Sequence, residues 1–150
     1  MSFVKGIYVL IISVNKNITI RVGALGNITF KKGLYAYVGS AQNNLDKRLM
    51  RHFQGAKRKF WHVDYLLANT HTKALKAFYK EAEKHEECTV AREFRKKGFA
   101  VKKFGCSDCR CESHLFQFDH YGLLEDLCLK CGLTPYHLAS ESLHSETSEA

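Results

Sequence analysis

The residues of this chain that can do chemistry fall into three groups, the first of them on one helix. Arg48 and His52 stand four residues apart, in a stretch where Leu45, Leu49 and Phe53 recur at helical spacing. At about 100° per residue those three form an apolar stripe, with Arg48 and His52 along its border between core and solvent. An arginine there can hold a phosphoryl oxygen with a fixed fork of donors, and a histidine can pass a proton near neutral pH. The second group is a single carboxylate. Glu87, Val90, Ala91 and Phe94 follow the i, i+3, i+4, i+7 pattern of a buried helix face, with Glu86 and Glu93 off it. A carboxylate on such a face is costly unless it binds a metal or pairs with a cation, for example Arg48. The third group is Cys106-x-x-Cys109-x-Cys111-x-x-His114, four zinc-type ligands in nine residues, with Cys128-Leu-Lys-Cys131 as a second source of thiols. Tetrahedral zinc and plain packing are the competing accounts of these cysteines.

Several elements must position these groups. The apolar run Ile7–Ile12 predicts a central strand, and Ile18–Val22 and Ile28–Phe30 predict two more around the turn residues Gly23 to Asn27. Leu34–Val38 is a further strand, ending at Gly39-Ser40. Asn43 or Asn44 can cap the helix Leu45–Phe53. Leu75–Tyr79 reads as a strand, and Glu86–Lys97 as a helix closed by Gly98. Phe99–Phe104 and Leu115–Phe118 read as edge strands around the cysteine loop, and Tyr121–Cys131 as a short amphipathic helix. The sum predicts an α/β fold, a small mixed or antiparallel sheet flanked by helices.

Between the first helix and His62 lies a basic segment with Arg51, Lys57, Arg58, Lys59 and Trp61. Its cations, with His62, suit tracking of a phosphate backbone, while Trp61 suits the core. His62 and Asp64 would share a face if that stretch were extended, as site residues or as a buried pair. Charge points the same way as the basic segment. Residues 1–118 carry 22 Lys and Arg against 9 Asp and Glu, and residues 119–150 carry one Lys against six acids. A basic body of this kind favours a polyanionic partner through release of phosphate counterions. No apolar run is long enough to cross a bilayer, and the N-terminus lacks a signal-peptide pattern. A cytoplasmic location with thiols rather than disulfides is the expectation.

The order Gly6-Ile7-Tyr8, then Tyr37-Val38-Gly39, then Arg48-x-x-x-His52, then a helix with core-facing Glu87 resembles the GIY-YIG nuclease superfamily. His62-Val-Asp-Tyr-Leu-Leu67, Glu87-Cys88 and the 105–115 cysteine segment resemble a mainly archaeal subfamily, also found joined to endonuclease III-like repair enzymes. The resemblance covers about residues 5–118 and implies an inserted hairpin over Ile18–Phe30. It implies that Tyr8 activates the attacking water, Tyr37 orients the scissile phosphate or assists, and Arg48 stabilises charge on the phosphoryl oxygens. His52 stands near the nucleophile or the phosphate, and Glu87 is the protein ligand of one Mg2+ or Mn2+. Cys109, Cys111 and His114 match the subfamily pattern, and a structural Zn2+ there is one reading. The implied activity is endonucleolytic cleavage of DNA, with RNA the alternative substrate, a repair protein a further partner and no membrane involved. A nucleic-acid-binding module without turnover and a metal-binding interaction domain are the rival readings.

The expected organisation is a nuclease-like domain over 1–118, a short helical extension over 119–138 and a disordered acidic tail over 139–150. Deleting the chain from Ala139 should preserve folding and leave DNA affinity unchanged or tighter, because Glu141, Glu146 and Glu149 repel phosphate. Dissociation constants of both forms across a salt series check this; substantially weaker binding after truncation would give the tail a direct role.

Overall fold

A computed structural model describes residues 5–55, 58–106 and 110–137. The expected tail over 139–150 lies outside the described residues, as do Lys57 and Cys109. The elements run in the order β1 (Gly6–Val14), β2 (Ile18–Arg21), β3 (Asn27–Phe30), β4 (Gly33–Ala41), α1 (Leu45–Gln54), α2 (His62–Leu67), β5 (Thr72–Lys80), α3 (Glu86–Arg95), β6 (Phe99–Ala100), β7 (Leu115–Phe118), α4 (Tyr121–Lys130) and β8 (Thr134–Pro135). Six strands form one sheet in the order β6-β7-β4-β1-β5-β8, with every pairing antiparallel. The hairpin β2-β3 forms a small separate sheet with Ile18 opposite Phe30.

Both faces of the main sheet are covered, which explains why β1 is an unbroken apolar run rather than an alternating one. Tyr8, Leu10, Ile12 and Val14 point into one core, against Leu45 and Leu49 of α1, Val63 and Leu66 of α2, and Phe30 of the hairpin. Ile7, Val9 and Ile11 point into the other, against Val90, Ala91 and Phe94 of α3 and Leu124 and Cys128 of α4. The result is an α/β sandwich of three layers. Helix α4, in the segment read from sequence as an extension, contributes to this second core, and β8 pairs with β5.

Local chemistry sets the boundaries. Asn44 caps α1, its side chain accepting from the Lys47 amide at 3.1 Å, and Gly55 ends the helix at φ 82°. Two expectations change. Strand β7 is interior, between β6 and β4, because Phe116 and Phe118 are needed in the second core. The expected strand over Phe99–Phe104 shortens to Phe99–Ala100, since the chain turns at residues 102–105 to return toward β7. Gly98 does donate to the Phe94 carbonyl at 2.9 Å, but its lack of a side chain serves packing. A Cβ there would lie 2.6 Å from the Phe118 ring.

At the start of β1 a Cβ on Gly6 would lie 2.2 Å from the Lys80 carbonyl oxygen, a backbone atom that cannot swing aside. Gly6→Ala should therefore lower stability by about 1–3 kcal/mol, the scale for overpacking a close-packed site. Gly122→Ala is the control, because a Cβ at that position of α4 meets nothing within 4 Å. Denaturant midpoints decide, and equal values for the two variants would show that the β1–β5 junction tolerates a side chain.

Candidate functional site

At one end of the sheet the two helical layers meet around a cavity of about 430 Å3. It is lined by Tyr37 and Ser40 of β4, Arg48 of α1, Phe60, Trp61, His62, Lys84, Glu87 of α3, and Gly105. Tyr37, Arg48 and Glu87 thus come to one wall from three separate elements. Tyr8 and His52 sit behind it, both buried, with the Tyr8 hydroxyl 2.7 Å from His52 Nε2. The sequence placed His52 at the border of the α1 stripe; in the fold it is inside, 3% exposed, because the Tyr8 hydroxyl needs a buried partner.

Tyr8 and Gly39 face each other across β1 and β4, and the ring occupies the space a side chain would take. A Cβ on Gly39 would lie 2.4 Å from Tyr8 Cζ. The two glycine–tyrosine tripeptides are therefore one structural feature: a phenol laid over a glycine, its hydroxyl directed at α1. Burial pushes the Tyr8 and Tyr37 hydroxyls well above the usual phenol value, so both stay protonated. Burial lowers His52 from 6.5 to about 4, with the charges of Arg48 and Arg51 acting in the same direction and Asp64 opposing. The Tyr8 hydroxyl and His52 Nε2 form a hydrogen bond between neutral groups, its donor set by the imidazole tautomer, and His52 Nδ1 finds no partner among the described residues.

Arg48 is held in place on two sides. It donates from one terminal nitrogen to the Ser40 carbonyl at 2.9 Å, and its guanidinium lies 4.0 Å from the centre of the Trp61 ring. Glu87 has a side chain 16% exposed, with one carboxylate oxygen 3.8 Å from Nδ1 of the buried His114. It is a carboxylate set in a wall, reachable from the cavity.

The basic segment divides. Arg51 is engaged within the protein, donating to Asp64 Oδ2 at 2.8 Å and to the Arg58 carbonyl at 2.6 Å. Arg58 and Lys59 are exposed, and His62 lines the cavity while its Nδ1 accepts from the Gly105 amide at 2.8 Å. Burial lowers the His62 pKa as well. His62 and Asp64 do not share a face. The segment is helical, and Asp64 turns back to accept from the amides of Phe60 and Trp61 at 2.8 and 3.0 Å. Trp61, expected in the core, packs against it and also lines the cavity. Lys84, which the sequence did not single out, lines both this cavity and a neighbouring one of about 790 Å3 that also touches Lys47 and Arg51.

The cysteines regroup. Cys88, Cys111 and His114 bring their ligand atoms within 4.8 Å of one another, a group that can hold a metal ion. Cys88 lies 23 positions from Cys111, so spacing does not group the two, and in the sequence Cys88 enters only with Glu87 in the subfamily resemblance. Cys128 belongs to the second core, its thiol pushed up to about 12 by burial, and the Cys128–Cys131 pair joins no group of three ligand side chains among the described residues.

A family described as Domain of unknown function DUF123 matches residues 7–133, and the chain belongs to that family. The matched span runs from Ile7 in β1 to beyond the end of α4 and so holds every cavity-lining residue. No curated protein and no solved structure matches the chain. Among the described residues no helix is long and apolar enough to cross a membrane.

His52 generates a pH prediction. Its folded pKa lies below its unfolded one, so between pH 6.5 and about 4 the unfolded chain binds the proton that the fold refuses. The stability it contributes is complete above 6.5 and is lost as pH falls toward 4, by roughly 3 kcal/mol at most. Urea midpoints from pH 7.5 to 4 should fall more steeply for the wild type than for His52→Gln. Parallel profiles would assign the acid sensitivity to another group.

Proposed function

We propose that this chain is a divalent-metal-dependent endonuclease that hydrolyses phosphodiester bonds in DNA. The observation that carries the reading is the convergence of Tyr37, Arg48 and Glu87 on one cavity, with the Tyr8–His52 pair directly behind it. These are the five residues that the resemblance to GIY-YIG nucleases singles out, and they come from β1, β4, α1 and α3.

Hydrolysis of a phosphodiester needs a group to take the proton of the attacking water, cationic help for the phosphoryl oxygens and a way to stabilise the leaving oxygen. Arg48, fixed by Ser40 and Trp61, lines the cavity and neutralises phosphoryl charge there. Tyr37 presents a protonated phenol that donates to a phosphate oxygen and sets its orientation. Tyr8, hydrogen-bonded to His52 Nε2 behind the cavity wall, would help to draw the proton from the attacking water, and neither group keeps it, because burial disfavours charge on both. Water adds to phosphorus, one phosphorus–oxygen ester bond breaks, and the departing oxygen takes the proton that the attacking water gives up.

Glu87 is the residue that would hold Mg2+ or Mn2+. A single hard carboxylate beside a cavity with room for water suits a cation that keeps most of its own hydration. When bound, such a cation supplies charge neutralisation and a more acidic water. The soft group Cys88, Cys111 and His114 is read separately, as a structural position of zinc type.

The neighbouring surface supports a nucleic-acid substrate. Lys47, Arg48 and Lys84 line the adjoining cavity, and Phe60, 65% exposed, stands beside the active one where a base can stack. Connection with DNA repair, and with a repair protein as partner, follows from the subfamily resemblance.

Glu87→Ala should abolish cleavage stimulated by Mg2+ or Mn2+ while DNA binding persists, and Arg48→Ala should reduce cleavage by about 100-fold or more. A panel of branched, nicked, damaged and plain DNA, with RNA alongside, supplies the assay. Tight binding without cutting of any substrate by the wild-type chain would make this a binding module instead.

A further inference from the structure

The backbone of His114 is fixed on both sides. Its amide donates to the Phe104 carbonyl and its carbonyl accepts from the Val38 amide, both at 2.8 Å, which pins it between the turn before Gly105 and strand β4. The side chain is buried, 1% exposed, against the Tyr37 and Gly105 end of the site. With the backbone fixed, the two ring nitrogens face different ways. Nε2 lies 4.0 Å from Cys88 Sγ, and Nδ1 lies 3.8 Å from Glu87 Oε2. Cys111, three residues before His114, completes a set of three soft ligand atoms within 4.8 Å. In a tetrahedral zinc site such atoms sit roughly 3.5–3.8 Å apart, so modest side-chain movement closes the group around an ion.

A histidine that binds a metal through one nitrogen usually gives its other N–H to a carboxylate, which fixes its tautomer and raises its basicity. Glu87 stands on that side of the ring at 3.8 Å, beyond hydrogen-bond distance, so the movement that closes the group around an ion must also bring Glu87 and Nδ1 together. We propose that Cys88, Cys111 and His114 hold one soft divalent cation of the zinc type, and that Glu87 orients His114 from its outer nitrogen. The carboxylate of the cavity and the thiolate centre are then one unit joined by an imidazole. Adjacent residues of α3 divide the work, Glu87 facing the cavity and Cys88 the soft ion. The metal centre stands without the nuclease reading; only its consequence for Glu87 in cleavage rests on that reading.

The test uses the purified full chain, with zinc content measured directly and Co2+ exchanged in as a spectroscopic probe. About one ion per chain is expected, with thiolate-to-metal charge-transfer bands and the ligand-field spectrum of tetrahedral Co2+. Cys111→Ser should lose those bands. Because that variant can fail by unfolding, Glu87→Gln is the decisive one. It should keep a tetrahedral Co2+ spectrum while metal affinity, measured by chelator competition, falls by about 10- to 100-fold. Unchanged affinity in Glu87→Gln would overturn the coupling. Absence of stoichiometric metal, or a Cys88–Cys111 disulfide in its place, would overturn the site itself. None of these readouts uses cleavage, so a chain that binds zinc as expected but cuts no substrate removes the nuclease reading and leaves this one intact.

Discussion

Strand β1 has no free edge and no free face. Its neighbours β4 and β5 pair with it along its whole length, and side chains of alternate parity enter two different cores. Any polar side chain on it must therefore find a partner inside the protein. Tyr8 is where that requirement meets the site. Its ring is accommodated only because Gly39 opposite has no side chain, and its hydroxyl is satisfied by His52. Helix α1 is thereby tied to the sheet at the turn that also carries Arg48. The position of the arginine relative to Tyr37 follows from a packing constraint two strands wide.

The site lies where the layers end rather than within either one. Tyr8, Tyr37 and Leu49 belong to the core on the α1 face, whereas Val90 and Phe94 of α3 belong to the opposite one. Only at the end of the sheet, past Gly39 and beside Gly105, can Glu87 of α3 approach Arg48 of α1. This arrangement keeps a carboxylate and a guanidinium on one cavity while each helix stays anchored in its own core. It also places a neutral imidazole among charges, with burial overriding the pull of Asp64. Asp64 itself is occupied with the Phe60 and Trp61 amides and with Arg51, which fixes the loop that presents Trp61 to Arg48.

What the sequence by itself determined was every element with a strong local pattern. The unbroken run Ile7–Ile12 fits only a strand covered on both faces. Leu45, Leu49 and Phe53 define a helix face, and Asn44 supplies the cap. The resemblance to GIY-YIG nucleases named Tyr37, Arg48 and Glu87 together, and that the three line one cavity is decided by the tertiary structure. Tertiary structure alone decided the rest. Periodicity does not reveal that β7 is interior, because Leu115–Phe118 is too short to show which neighbours it has. Nor does it reveal that His52 is buried, since its place at the rim of a helical stripe is compatible with either side. His62 and Asp64 would share a face in an extended strand, but two steps of a helix turn them about 200° apart. The Cys88–Cys111–His114 group could not be read from spacing, because α3 and the segment before β7 meet only when both pack against β4. Local pattern encodes which face of an element is apolar; which distant side chains share that face depends on contacts between segments far apart in the chain.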